Sequence, residues 1–174
     1  MKERITIKKE FMRLALAESE KAFAVGEVPV GAVVVQNGEV IASAHNLTEQ
    51  LSDASAHAEM LALKQAAERL GTRRLSGCEL YVTLEPCAMC MGAILNFRIG
   101  ALCFGAFDDA AGCTVSRCEL ARLTNQGLPF VGGMLEDECR SILSRFFSER
   151  REQDRSARIC THTGGAEEQQ TGEE

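Results

Sequence analysis

The chain is short of several things, and each shortage closes off a class of protein. No run of 18 apolar residues occurs, so no membrane-spanning helix is expected. The opening Met1-Lys2-Glu3-Arg4 is charged and no apolar stretch follows it, which argues against a secretory signal. Positive charge is not in excess: the formal net charge is −6, unlike that of a general nucleic-acid binder. Only one Cys-x-x-Cys is present, at Cys87–Cys90, and no His-x-x-x-His accompanies it. A closed structural zinc site therefore lacks its fourth ligand. Neither an internal repeat nor a second domain is apparent in the 174 residues. These absences together predict a cytoplasmic protein with its remaining thiols reduced. Cys78, Cys103, Cys113, Cys118, Cys139 and Cys160 read as packing residues, with Cys113 and Cys118 the possible exceptions because they sit in or near a loop.

What is present centres on Ala56–Cys90. His57-Ala58-Glu59 opens that stretch and Pro86-Cys87-Ala88-Met89-Cys90 closes it. One imidazole and two thiolates suit tetrahedral zinc and leave its fourth position open for water. Zinc lowers the pKa of such a water towards ~7. Glu59, two residues from the imidazole, is not needed as a ligand and is free to move protons. A thioredoxin-like redox pair would leave His57 and Glu59 unexplained. The spacing H-x-E…P-C-x-x-C is the signature of zinc nucleobase deaminases.

Periodicity supplies the scaffold. Phe11, Leu14, Ala15, Ala22 and Phe23 make residues 8–24 an amphipathic helix stopped by Gly26. Val30–Val35 and Val40–Ala42 flank Asn37-Gly38, a strong hairpin signal. A second helix is expected from Ala56 to Leu70, capped by Ser55 or Asp53 and ended by Gly71. Leu80–Leu84 reads as a strand, and Pro86 as the first turn of a third helix. Leu102–Phe104 and Pro129–Val131 read as strands, Ser116–Arg122 as a short helix, and Glu136 to about Arg155 as a long one. Strands alternating with helices after an opening hairpin predict a three-layer α/β/α sandwich around a mixed five-stranded sheet. The helices bearing His57 and Cys87 both follow strands. Their N-termini, which favour thiolates, should therefore open at one sheet edge. Residues 1–158 form the expected zinc-dependent deaminase domain, and 159–174 an acidic, disordered tail. Removing the four glutamates of residues 161–174 leaves a charge of −2, while Arg140–Arg158 carries a local +3 from six arginines. That stretch, with Arg145, Arg150, Arg151, Arg155 and Arg158, is the candidate RNA-docking patch; a solvated helix end is the plainer reading.

Beyond the two motifs, the sequence resembles the bacterial tRNA-specific adenosine deaminases over nearly its whole folded length. The matching stretches are Glu27–Val33, Ala56–Glu59, Tyr81–Cys87, Arg98-Ile99-Gly100, Phe104-Gly105-Ala106 with Asp108, and Phe146-Phe147 with Arg150-Arg151. The His-Ala-Glu and Pro-Cys-x-x-Cys elements belong to the wider cytidine deaminase-like superfamily; Thr-Leu-Glu-Pro-Cys and Phe-Gly-Ala-x-Asp are more specific to this branch. The resemblance implies zinc-dependent hydrolysis of adenosine to inosine at the wobble position of a tRNA anticodon stem-loop, by a homodimer with one Zn2+ per subunit. It implies that His57, Cys87 and Cys90 bind zinc and that Glu59 shuttles protons. Asn46 would hydrogen-bond the base, Val30, Ala58 and Leu84 would line its pocket, and Asp108 would contact the neighbouring nucleotide. Without the resemblance, Asn46 is a strand-end turn residue, Val30 a core valine and Asp108 a solvated loop carboxylate. The chain departs from the family pattern at Phe107, where arginine is common, and after Asp108, where many members carry a lysine. Met89, Met91 and Ile94 offer apolar surface for a dimer or simply core. A zinc deaminase of a free base, guanine or cytosine, shares every catalytic residue and stands as the alternative. A non-catalytic zinc-stabilised RNA-binding scaffold is a third reading, against which Glu59 argues.

Overall fold

The computed structural model describes residues 7–124 and 127–163. The elements run α1 (Lys9–Ala24), β1 (Gly31–Gln36), β2 (Glu39–His45), α2 (Thr48–Leu51), α3 (Ala58–Leu70), β3 (Cys78–Leu84), α4 (Ala88–Asn96), β4 (Ala101–Ala106), a 3-10 turn at Leu120–Leu123, β5 (Phe130–Val131) and α5 (Glu136–Thr163). The five strands lie in the order β2-β1-β3-β4-β5. β1 is antiparallel to both β2 and β3, while β3, β4 and β5 are parallel. The mixed three-layer sandwich expected from the sequence is what forms.

Two-residue alternation sorts the side chains between the layers. Ala32, Val34, Leu80, Val82, Leu102 and Phe104 point to one face, where α3 and α4 cover them with Ala62, Leu63, Ala66, Met91 and Ile94. Val33, Val35, Tyr81 and Cys103 point to the other, against Phe11, Met12 and Ala15 of α1 and Cys139 of α5. Each such large apolar side chain contributes about 1.5–3 kcal/mol by leaving water. The hairpin turns at Asn37 and Gly38, whose φ values of 53° and 81° fit a type I′ turn. A bulge opposite Val34/Val35 inserts Ile41, so Ile41 and Ala42 both face α3. α1 presses so closely on β1 that a Cβ at Gly31 would fall 2.1 Å from the Ala15 carbonyl oxygen.

Several expectations are corrected. α3 starts at Ala58, with His57 as its N-cap, and neither Ser55 nor Asp53 caps it. The Asp53 carboxylate instead accepts from its neighbour Ser55, closing a local turn. Pro86 lies before α4, whose N-cap is Cys87. The short helix expected at 116–122 is only the 3-10 turn at Leu120–Leu123, and α2 was not foreseen because four residues carry no periodicity. α5 extends to Thr163, well past Arg155, and crosses the boundary expected at 158/159. The acidic tail beyond Thr163 lies outside the described residues, as do the side chains of Arg158 and Cys160. Met91 and Ile94 are fully buried, which assigns them to the core and leaves Met89 alone exposed. Among the described residues Cys78, Cys103, Cys113, Cys118 and Cys139 are free thiols, as expected.

Candidate active site

β2 and β3 both run antiparallel to β1, so they point the same way and their C-terminal ends share one edge. α3 and α4 open there. The His57 and Cys87 carbonyls accept the first helical hydrogen bonds, from Leu61 N at 3.1 Å and Met91 N at 2.8 Å. Each capping residue thus has extended backbone, which turns its side chain out of the helix towards the shared edge. Cys90, in the first turn of α4, brings its sulfur to the same point. The ligand atoms of His57, Cys87 and Cys90 all lie within 4.8 Å of one another.

That spacing can be tested against a metal. Zn–S and Zn–N bonds of roughly 2.3 and 2.0 Å at a tetrahedral angle set sulfur and nitrogen about 3.5 Å apart. His57 Nδ1 lies 3.5 Å from Cys90 Sγ and 3.8 Å from Cys87 Sγ. Three borderline-to-soft donors at that separation fit zinc. Left to themselves the donors compete for protons. The Cys90 thiol and His57 pull Cys87 down to about 3, and the bond to the Cys87 thiolate, with burial, pushes Cys90 far up. The bond to Cys87 raises His57. A divalent cation resolves this competition by binding both sulfurs as thiolates and the imidazole as neutral.

Glu59 lies one residue into α3 and is 3 % exposed. Burial raises its carboxyl above the usual range, against a weaker opposing pull from its own backbone N–H and from His57. Desolvation thus favours the protonated form of Glu59 relative to that of a carboxyl in water.

The remaining predicted residues fall around this edge. Asn46 is buried, and its Oδ1 accepts from Ala58 N at 2.9 Å, capping α3 from the end of β2. Among the described residues its Nδ2 has no partner, so one amide holds the helix and keeps a donor spare. Val30 and Ala58 are buried, and Leu84 is half-buried at the end of β3. Asp108 folds its Oδ1 back onto Ala110 N and Ala111 N, at 2.9 and 3.2 Å, in the loop after β4. Phe107 packs edge-on against Phe104, with ring centroids 5.1 Å apart, and so belongs partly to the core. The arginines of α5 divide. Arg145 is held by Glu20 at 2.8 Å and lies over the Phe23 ring, fastening α5 to α1. Arg150 and Arg151 are exposed; Arg150 reaches the Gly26 carbonyl oxygen at 3.4 Å and Arg151 the Ser148 hydroxyl at 3.0 Å.

Sequence reasoning gave no role to two further carboxylates. Glu27 is fully buried and accepts from Thr48 Oγ1, Glu49 N and Gln50 N, tying the segment before β1 to the start of α2. Glu85, between Leu84 and Pro86, is 2 % exposed and accepts from four backbone amides and a hydroxyl of the 108–116 loop. Burial works to raise its pKa, but the bonds from Ser116, Val115 and Asp108 outweigh it and hold it low. The signals in sequence are a charged residue between a strand end and a proline and its place in Thr83-Leu84-Glu85-Pro86-Cys87.

A sheet edge with a His/Cys/Cys donor set and a buried glutamate beside it defines a zinc-dependent deaminase. The family of the cytidine and deoxycytidylate deaminase zinc-binding region matches residues 5–106. A tRNA-specific adenosine deaminase of Bacillus subtilis is 48 % identical over 150 residues, covering 85 % of this chain and 93 % of its own. One from Haemophilus influenzae is 45 % identical over 147 residues, covering 83 % and 85 %. A solved structure from work on A-to-I editing by tRNA:A34 deaminases superposes with a TM-score of 0.76 at 42 % identity, covering 78 % of this chain and all of its own. A guanine deaminase from Nitrosomonas europaea superposes with a TM-score of 0.72 at 25 % identity, covering 82 % and 85 %. The chain belongs to the tRNA-specific adenosine deaminases.

Proposed function

We propose that the chain hydrolyses adenosine 34 of a tRNA anticodon loop to inosine, releasing ammonia. The observation that carries this reading is the tetrahedral-compatible spacing of His57, Cys87 and Cys90, with Glu59 buried one residue into the same helix as the imidazole. His57, Cys87 and Cys90 would hold zinc, which would supply an acidified water when bound. Glu59, its pKa raised by desolvation, would accept one proton from that water and pass it to a ring nitrogen as the hydroxyl adds to the amine-bearing carbon. It would then carry the proton of the added hydroxyl to the amine, which leaves as ammonia as the carbonyl forms. Asn46 orients the base through Nδ2 while its Oδ1 stays on Ala58 N. Val30, Ala58 and Leu84 form the apolar wall that keeps other water away. Asp108 contacts the nucleotide beside the target.

A paired adenine cannot reach a helix N-terminus, so the substrate base must be flipped or already splayed, as in an anticodon loop. With a net charge of −6, docking must be local. Arg150 serves that role because it reaches Gly26, in the segment leading to Val30 at the site edge, and Arg151 sits beside it. The family resemblance supports a homodimer acting in the cytoplasm. Among the described residues no helix is long and apolar enough to cross a membrane. The test is to offer the zinc-loaded protein an A34 stem-loop, free adenosine, guanine and cytosine, and to score inosine and ammonia. Inosine from the stem-loop alone is expected; ammonia from guanine or cytosine with an unchanged stem-loop would replace this reading with that of a free-base deaminase.

A further inference from the structure

Glu85 follows β3, two residues before Cys87, and its carboxylate reaches into the loop after β4. Oε1 accepts three successive backbone amides, Thr114 N at 3.1 Å, Val115 N at 2.8 Å and Ser116 N at 3.0 Å. Oε2 accepts Asp108 N at 3.1 Å and the Ser116 hydroxyl. Consecutive amides converging on one oxygen form an anion-binding nest, here filled by the chain's own carboxylate. The fit leaves no slack: a Cβ on Gly112 would fall 2.4 Å from both Cδ and Oε2 of Glu85. The same loop is stitched to the zinc-ligand segment, since Cys113 N donates to the Pro86 carbonyl at 2.8 Å and Gly112 bridges Cys87. Both ends of the 108–116 loop thus hang on one buried anion, and the end with the single amide bond carries Asp108.

We propose that Glu85 is a positioning residue for substrate recognition, whose carboxylate holds the 108–116 loop so that Asp108 meets the nucleotide beside adenosine 34. This rests on the A34 reading given above. Glu85 touches neither the reacting base nor the metal; it acts through the Asp108 backbone. Removing the anion frees the loop to leave the geometry that receives RNA, and apparent affinity falls by the fraction of molecules out of place.

Glu85→Gln tests this with little change of shape. The glutamine oxygen can keep the three amides at the Oε1 place, which puts an N–H against Asp108 N–H and releases Asp108 selectively. For an A34 stem-loop, KM should rise about tenfold, with kcat at saturation and zinc content near wild type. Hydrogen exchange at the Asp108 amide should speed up about tenfold, more than at Thr114–Ser116. Ser116→Ala, which removes one donor and no backbone bond, should give the same pattern at about twofold in KM. Wild-type KM with wild-type Asp108 exchange in Glu85→Gln would overturn the proposal. So would a fall in kcat or zinc at constant KM, the mark of a merely structural role. A wild-type protein inactive on the stem-loop would remove the reading beneath the proposal, and the proposal with it.

Discussion

Glu59 and Glu85 are two buried carboxylates on one edge of the sheet, and their surroundings drive them apart. Glu59, at the start of α3, has little to oppose its desolvation, and its pKa rises. Glu85, after β3, is equally dry but meets five donors, and its pKa falls. Burial alone therefore does not decide what a carboxylate does; the donors facing it do. The first surroundings suit the proton exchange proposed for Glu59, and the second hold a charge on the 108–116 loop. The zinc edge is helix and strand, with His57 and Cys87 on helix caps and Cys90 in the first turn of α4. The 108–116 stretch is loop, and a side chain, Glu85, ties its two ends together.

The largest expected effect separates these regions at the metal. Cys87→Ala should take zinc from ~1 per chain to none and abolish deamination. The exchange-protected amides around Glu85 should stay protected, because their acceptor is untouched. Loss of that protection together with zinc would mean that the two regions are one. From the other side, Gly112→Ala drives a Cβ into the Glu85 carboxylate and towards the Asp108 carbonyl oxygen, 2.6 Å away. It should raise KM for a stem-loop by about tenfold and leave zinc bound. Steady-state kinetics with metal analysis checks it, and zinc loss would break the comparison.

A smaller effect is expected further from the site. Replacing Arg150 and Arg151 by alanine should raise KM several-fold and, for two phosphate contacts, flatten the log–log salt dependence by roughly 1.4. Binding measured across salt concentrations decides it, and an unchanged slope would remove α5 from RNA docking. The smallest concerns a carboxylate outside both regions. Burial works to raise Glu18, but its bonds to Lys21 and His45 prevail and lower it from 4.5. A depressed carboxyl stabilises the fold above its unfolded pKa, and that help is lost as pH falls through the folded value. The melting-temperature gap between wild type and Glu18→Gln should therefore be open near neutral pH and close as pH falls below 4.5 and through the lowered folded value. A gap that widened on acidification would reverse the sign.

The difference between the regions also explains what the sequence made legible. The zinc donors and Glu59 were readable because metal chemistry restricts residue type and the helix start restricts spacing. The hairpin was readable because the β-branched run Val30–Val35 and the run Val40–Ala42 flank Asn37-Gly38. α2 and the nest around Glu85 were not, since they depend on bonds between residues 21 to 31 apart, to which no periodicity points. Cap geometry was hidden for the same reason: the group that caps α3 is Asn46, twelve residues upstream of Ala58. Arg145 looked like part of a basic patch, but its partners Glu20 and Phe23 come from the other end of the chain.

The central claim is that metal binding and proton transfer reside in different residues of the same helix start. Glu59→Ala, assayed for zinc by metal analysis and for inosine on an A34 stem-loop, tests it most directly. The account predicts ~1 zinc per chain, as in wild type, with turnover reduced by at least 10²–10⁴-fold. Near-normal inosine formation by the zinc-loaded variant would contradict it.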